Sequence, residues 1–275
     1  MIMDLHTHTH HSPDAQDTVA ERVEKANTLG LRIMAITDHC ELNHYYPAEY
    51  YGETPSARVM HNGRQTFEGS VEETLAMQSR CGDLLLLCGT ELGQIPQEPM
   101  IAKTLYEDPR IDFAIGSIHE LPGMEDFYFL DYPSLCIQDL ITQYFDEVLR
   151  VAQSDFYDVL AHLTYGLRYL PDRAGYDLTP HLPVIEEIFR AVIAKDKALE
   201  FNGSGLKAEL QYTDPDLFLL RKYRELGGKR ITLSTDTHAK EYLAYRMNDL
   251  EQLARELGFT HVTYYQKHKP VEIPL

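Results

Sequence analysis

Short apolar runs recur at seven places in this chain, at 2–5, 32–36, 84–88, 113–115, 159–161, 198–201 and 231–233. Between several of them lie stretches with helical periodicity. Residues 18–29 place Val19, Val23, Ala26 and Leu29 on one face, and Gly30 is suited to a left-handed cap. Residues 180–195 read as a helix with Thr179 at the N-cap and Pro180 at the first position. Asp214-Pro215 opens another that Gly227-Gly228 closes, and 241–257 reads as a further helix stopped by Gly258. Strand and helix in alternation predict parallel βα units. Seven units without a Pro/Ser/Gly-rich linker predict one α/β domain over residues 1–275, a (β/α)7 barrel in preference to separate domains.

The bulk composition supports that fold and removes several functions. Of 275 residues 44% are hydrophobic and 25% charged, enough apolar material for one large core. Lysine and arginine number 25 against 43 acidic residues, a formal charge of −18. A surface so acidic repels nucleic acid and anionic membranes. No apolar run is long enough to span a bilayer, and the start of the chain lacks the basic-then-apolar pattern of a signal peptide. Cys40, Cys81, Cys88 and Cys136 show no CxxC spacing, which predicts reduced thiols and a cytoplasmic setting.

The residues directly after each apolar run carry the chemistry. In order these are His6-Thr7-His8, Thr37-Asp38-His39, Gly89-Thr90-Glu91, Ser117-Ile118-His119, Ala161-His162, Asn202 and Asp236-Thr237-His238. In a parallel barrel the carboxyl ends of the strands meet at one face, where active sites are built. Residues two apart on an extended segment point the same way, so His6 and His8 can chelate one ion. Each motif alone is weak; their recurrence at successive strand ends predicts a metal centre. Imidazole and carboxylate without thiolate suit Zn, Mn or Fe. With Asp14, the candidate ligands His6, His8, His39, Glu91, His119, His162, Asp236 and His238 are too many for one ion, which predicts two or three ions bridged by a carboxylate.

This order of motifs resembles the PHP (polymerase and histidinol phosphatase) superfamily over essentially the whole chain. The stretches "LEFNGSGL" (199–206) and "YYQKHKPVEIPL" (264–275) are similar to monofunctional histidinol-phosphate phosphatases within it. The resemblance implies the distorted barrel and a trinuclear site. One ion would take His6, His8, Glu91 and Asp236, a second Glu91, His119 and His162, a third Asp14, His39 and His238. Asp14 stands where the superfamily often has histidine. Thr164 replaces a frequent aspartate, and the 202–207 stretch has glycine and lysine in place of threonine and arginine.

Three divalent ions, three carboxylates and a bridging hydroxide would leave roughly +2 at the centre, a match for a phosphate monoester dianion. The expected activity is therefore metal-dependent phosphomonoester hydrolysis. The resemblance implies L-histidinol phosphate as the substrate, which would be converted to L-histidinol and phosphate by direct attack of hydroxide generated at the metals. A small nucleotide or phosphodiester as substrate, or a non-catalytic metal-binding scaffold, are the alternatives. Arg168 and Lys207 are candidate hydrogen-bond donors to a phosphate oxygen, with Arg64 weaker, and Asp14, a histidine or water could protonate the leaving group. His10 and His11 are expected at the rim or in solvent; His44, His61, His181, His261 and His268 at the surface; Cys40 as a small buried residue. The long connections 40–69 and 121–133 are expected to be functional or disordered; Tyr45, Tyr46, Tyr50 and Tyr51 in the first suggest ordered chain, as a lid or as plain packing.

Overall fold

In the computed structural model, which describes residues 2–46, 62–207 and 212–275, all seven apolar runs become strands of one parallel sheet. In chain order these are β1 (Met3–Asp4), β2 (Ile33–Ile36), β3 (His39–Glu41), β4 (Leu85–Gly93), β5 (Phe113–Ser117), β6 (Val159–Leu160), β7 (Ala198–Asn202) and β8 (Ile231–Ser234). The sheet order is β1-β2-β4-β5-β6-β7-β8. The added strand, β3, resumes the pairing that β2 begins: Ile36 stands beside Cys88 and His39 beside Glu91. The sheet curls until its edges meet. Leu5 N–H donates to the Leu233 carbonyl at 3.1 Å and His8 N–H to that of Thr237 at 3.0 Å. The result is a nearly closed, distorted seven-position α/β barrel.

Strand ends differ from expectation in one way that matters. The third run does not stop at Cys88; β4 continues through Gly93 because β3 and β5 flank it on both sides. Glu91 is therefore a strand residue inside the barrel mouth and not a loop residue beyond it.

The helices cover the sheet. Thr18 caps α1 (Val19–Leu29) in a reciprocal capping box with Glu21, and Gly30 closes it at φ 66°. Three helices have no counterpart among the predicted ones: α2 (Gly63–Gln78), α3 (Pro99–Tyr106) and α4 (Ile137–Gln153). The last buries Leu140, Ile141, Tyr144, Phe145, Val148 and Val151 at three- and four-residue spacing. The helix predicted at 180–195 starts later, as α5 (Leu182–Ala194). A 3-10 turn over Thr179–His181 precedes it, so Thr179 is not its cap. After Asp216 comes α6 (Leu217–Glu225). Only Met247–Glu256 of 241–257 is α-helical (α7), because Arg246 adopts φ 54° just before it. An antiparallel hairpin, β9 (His261–Gln266) and β10 (Lys269–Pro274), ends the chain.

The two long connections hold short ordered turns. Leu42–His44 is a 3-10 turn, Tyr45 meets Tyr46 edge-on at 5.5 Å, and α2 begins at Gly63; Tyr50, Tyr51 and His61 lie outside the described residues. In the second, Phe127–Phe129 and Tyr132–Ser134 form 3-10 turns, and Phe127 is buried edge-on to Tyr144 and Tyr165. No helix among the described residues is long and apolar enough to cross a membrane.

Candidate metal centre

Glu91, fully buried in β4, stands at the middle of a ring of imidazoles. Its Oε1 lies 2.9 Å from His162 Nε2 and 3.1 Å from His119 Nε2. Its Oε2 lies 2.7 Å from His39 Nδ1, 3.3 Å from His6 Nε2 and 3.7 Å from His8 Nε2. On the other side Asp236 Oδ1 lies 3.3 Å from His8 Nε2 and 3.6 Å from His6 Nε2. Asp14, half exposed, completes the rim: its carboxylate oxygens lie 3.2 Å from His238 Nε2 and 3.8 Å from His39 Nε2. All nine residues singled out as metal ligands thus converge, from segments as distant in sequence as 6 and 238. Asp236 holds a left-handed φ of 50°, a local cost of order 1 kcal/mol that the flanking contacts impose.

A second layer of carboxylates fixes these rings, and most of it was not read from the sequence. Glu200 Oε1 accepts from His6 Nδ1 at 2.8 Å and from Ser234 Oγ at 2.5 Å; its Oε2 accepts from the His162 N–H at 2.6 Å. Glu41 Oε1 accepts from His119 Nδ1 at 2.8 Å, and only glycine fits opposite it, since a Cβ at Gly93 would stand 2.0 Å from Glu41 Oε2. The Asp38 carboxylate meets hydroxyls and a backbone N–H and, among the described residues, no imidazole directly. It accepts from Ser12 Oγ at 2.7 Å, and Ser12 meets His8 Nδ1 at 3.2 Å. Asp4 accepts from Thr235 N–H, Thr235 Oγ1 and Ala244 N–H, which pins the approach to Asp236. Such partners set ring orientation and ligand basicity. Their signals were faint: Glu200 and Ser234 lie inside strands, where a polar residue among apolar ones is the only hint.

Replacing Glu200 by glutamine should weaken metal binding about 10- to 100-fold while leaving the fold in place. An amide keeps the shape but must turn an NH2 toward one of the N–H donors now accepted. Metal titration of the stripped variant checks this, with turnover recovering at excess metal; unchanged affinity would remove Glu200 from the positioning role.

The electrostatics are those of a cation site. Burial alone opposes charge on His6, His39 and His119, but the surrounding carboxylates outweigh it and raise all three, His119 to about 10. Burial and the neighbouring His238 and His39 push His8 down to about 3. Burial opposes ionisation of Glu91 and Asp236, yet the histidines around them hold both well below the usual carboxylate range. Despite this proximity, His6 Nε2, His8 Nε2, His39 Nδ1 and Glu91 Oε2 are buried without a hydrogen bond inside the protein, which buried polar atoms ordinarily have. Nitrogen pairs 3.3 Å apart, His39 with His238 and His119 with His162, match the roughly 3.3 Å between two ligands of one tetrahedral ion. This donor set fits divalent metal ions.

The remaining candidates separate. Arg168 lines the same cavity as Asp14, His119, Tyr165 and His238. Its guanidinium is 3.3 Å from Asp236 Oδ2 and 3.2 Å from Ser204 Oγ, and it lies 4.8 Å over the Tyr165 ring. Lys207 does not line that cavity: Nζ sits 4.9 Å over the Tyr242 ring, where its charge still feels Asp236 and Arg168. Arg64 is exposed on α2. Cys40 is buried and donates to the Gly63 carbonyl, and burial pushes its thiol up out of the reactive range. Two expected surface histidines are in fact buried, His44 beside Glu120 at 3.3 Å and His181 against Tyr176 and Gln138. His261 is exposed and His268 half-buried on Asp158.

A parallel barrel whose strand ends close over nine imidazole and carboxylate donors is the architecture of a metal-binding α/β-barrel protein. The PHP domain family matches residues 4–204, and the chain belongs to that family. It is 26% identical over 274 residues to a histidinol-phosphatase from Lactococcus lactis, covering 97% of this chain and 95% of that one. It is 23% identical over 269 residues to a probable histidinol-phosphatase from Clostridium acetobutylicum, covering 97% and 98%. Among solved structures it is similar to the Lactococcus lactis histidinol phosphate phosphatase complexed with zinc, L-histidinol and phosphate. There the TM-score is 0.80 at 25% identity, covering 98% of this chain and all of that one.

Proposed function

We propose that the chain is a metal-dependent phosphomonoesterase, one barrel domain over residues 1–275, that hydrolyses L-histidinol phosphate to L-histidinol and phosphate in histidine biosynthesis. One observation carries the reading: a buried carboxylate, Glu91, whose two oxygens face five imidazole nitrogens that approach it from four strand ends. A carboxylate able to serve two ions at once would account for so many nitrogens converging on it. Full-length likeness to histidinol-phosphatases supports the substrate, and a relative solved with zinc, L-histidinol and phosphate supports both metal and product.

In this reading His6, His8, Glu91 and Asp236 would hold one ion, Glu91, His119 and His162 a second, and Asp14, His39 and His238 a third. Bound divalent ions supply Lewis acidity and water acidified to near neutrality. The protein's own groups do the rest. Arg168, a delocalised cation at the cavity wall, offers N–H donors to a phosphate oxygen, and its stacking on Tyr165 keeps the fork in place. Asp14, the most exposed of these residues, sits at the rim beside His238; burial opposes its ionisation, but His238, His39 and His8 hold it well below the usual carboxylate range, so it stays a carboxylate and the departing alkoxide takes its proton from a histidine or from water. Burial of Glu91 and His6 keeps bulk water from competing for the ions.

Purified protein assayed with Zn, Mn or Fe against L-histidinol phosphate, 3′-AMP and bis-p-nitrophenyl phosphate tests the reading. Histidinol phosphate should be the best substrate. Preference for the diester would mark a phosphodiesterase, preference for 3′-AMP a nucleotidase, and no turnover with any metal a binding scaffold.

A further inference from the structure

Among the described residues, one cluster of metal-ligating side chains stands apart from the centre. We propose that His10, His11 and Glu73 form a separate, weaker site for a zinc-type divalent ion at the surface beside the barrel mouth. The two imidazole Nε2 atoms converge on one oxygen: Glu73 Oε2 lies 2.7 Å from that of His11 and 3.5 Å from that of His10. The three donor atoms all lie within 4.8 Å of one another, and the rings are 4.2 Å apart. None of the three belongs to the central set.

The arrangement is held in advance by its backbone and by α2. His10 N–H donates to the Asp17 carbonyl at 2.8 Å, the His11 carbonyl accepts from Thr66 Oγ1 at 3.2 Å, and Ser12 N–H closes the turn onto Thr9 at 2.8 Å. Glu73 is fixed through its other oxygen, which accepts from Val19 N–H at 3.1 Å at the start of α1. The His11 ring comes to rest against α2 only because residue 69 is glycine: a Cβ there would stand 2.7 Å from His11 Nδ1.

Two imidazoles and a carboxylate are a donor set for borderline transition ions such as Zn²⁺ and give little for Mg²⁺ or Ca²⁺. The side chains of His10, His11 and Glu73 are 40%, 19% and 29% exposed, so water can complete the coordination and an ion can exchange. Three partly exposed ligands bind less tightly than the buried centre. A bound ion would tie the turn that carries Asp14 to both α1 and α2.

Equilibrium dialysis of the zinc-loaded protein against rising Zn²⁺ tests the site, with metal per chain measured for the wild type, Glu73→Gln and His10→Gln. Glutamine at 73 can still accept from Val19, and position 10 faces solvent, so both variants should fold. The wild type should take up one Zn²⁺ per chain more than either variant, with affinity at this site reduced at least tenfold by each change. Added Zn²⁺ should raise Tm in the wild type alone, with turnover at limiting zinc equal in all three. Identical uptake curves for the three proteins would overturn the site. Because the comparison is between variants at one shared centre, the outcome is independent of what the centre hydrolyses.

Discussion

Glutamine at position 91 should abolish turnover, by roughly 10³-fold or more, while the barrel stays folded. The carboxylate meets His119 and His162 through one oxygen and His6, His8 and His39 through the other, so it is the one group common to the proposed first and second ions. An amide is nearly isosteric but uncharged, and its NH2 end would turn a donor toward nitrogens that must offer lone pairs. Two ions held close together without a bridging negative charge repel each other. Metal analysis of Glu91→Gln should therefore show fewer ions per chain than the wild type, and excess metal should not restore activity. The distinction from Glu200→Gln is sharp, because Glu200 acts on ring orientation and its loss is recoverable by mass action. Full activity and a full metal complement in Glu91→Gln would remove the bridge from the mechanism.

Much of the proposed centre was legible because its candidate ligands sit in a repeated context. A histidine or carboxylate directly after an apolar run is visible time after time along the chain, and parallel-barrel geometry then brings the ends together. Glu91 obeys the same rule although its local structure differs from the expected strand end: the strand continues through it, which is what buries it. The supporting layer was less visible for a physical reason. Glu200, Ser234 and Asp4 are polar residues within or beside apolar strands, and which ring each one holds depends on the neighbouring strand in space. Glu200 meets His6, 194 residues away. Helices are legible where caps stand out, as at Thr18 and Gly30, and obscure where amphipathic periodicity alone marks them, as in Ile137–Gln153. His44 and His181 are buried against expectation because short 3-10 turns fold them inward, and nothing in their local sequence demands it.

Stripping the ions with a chelator should destroy activity, lower Tm, and do so by an amount that grows with pH. Without metal, the charges on Glu91 and Asp236 are balanced by protonated imidazoles. Burial opposes this, but the carboxylates win, and His119 rises to about 10 from an ordinary 6.5. A histidine raised on folding contributes stability that is complete below about 6.5 and is lost as pH climbs through about 10. The stripped protein should therefore lose stability between neutral pH and pH 10. Metal works in the opposite sense. Each imidazole must be neutral to ligate, so loading displaces protons, and apparent affinity rises about tenfold per pH unit for every proton released. Protons and divalent ions thus compete for one set of nitrogens, and the Tm gap between loaded and stripped protein should widen from pH 6 to pH 9. Scanning calorimetry of both forms across that range measures it, with activity returning when Zn, Mn or Fe is added back. A gap that stays constant with pH would mean that the imidazoles are not the ligands, and equal Tm values would mean that the ions are not held in the folded core.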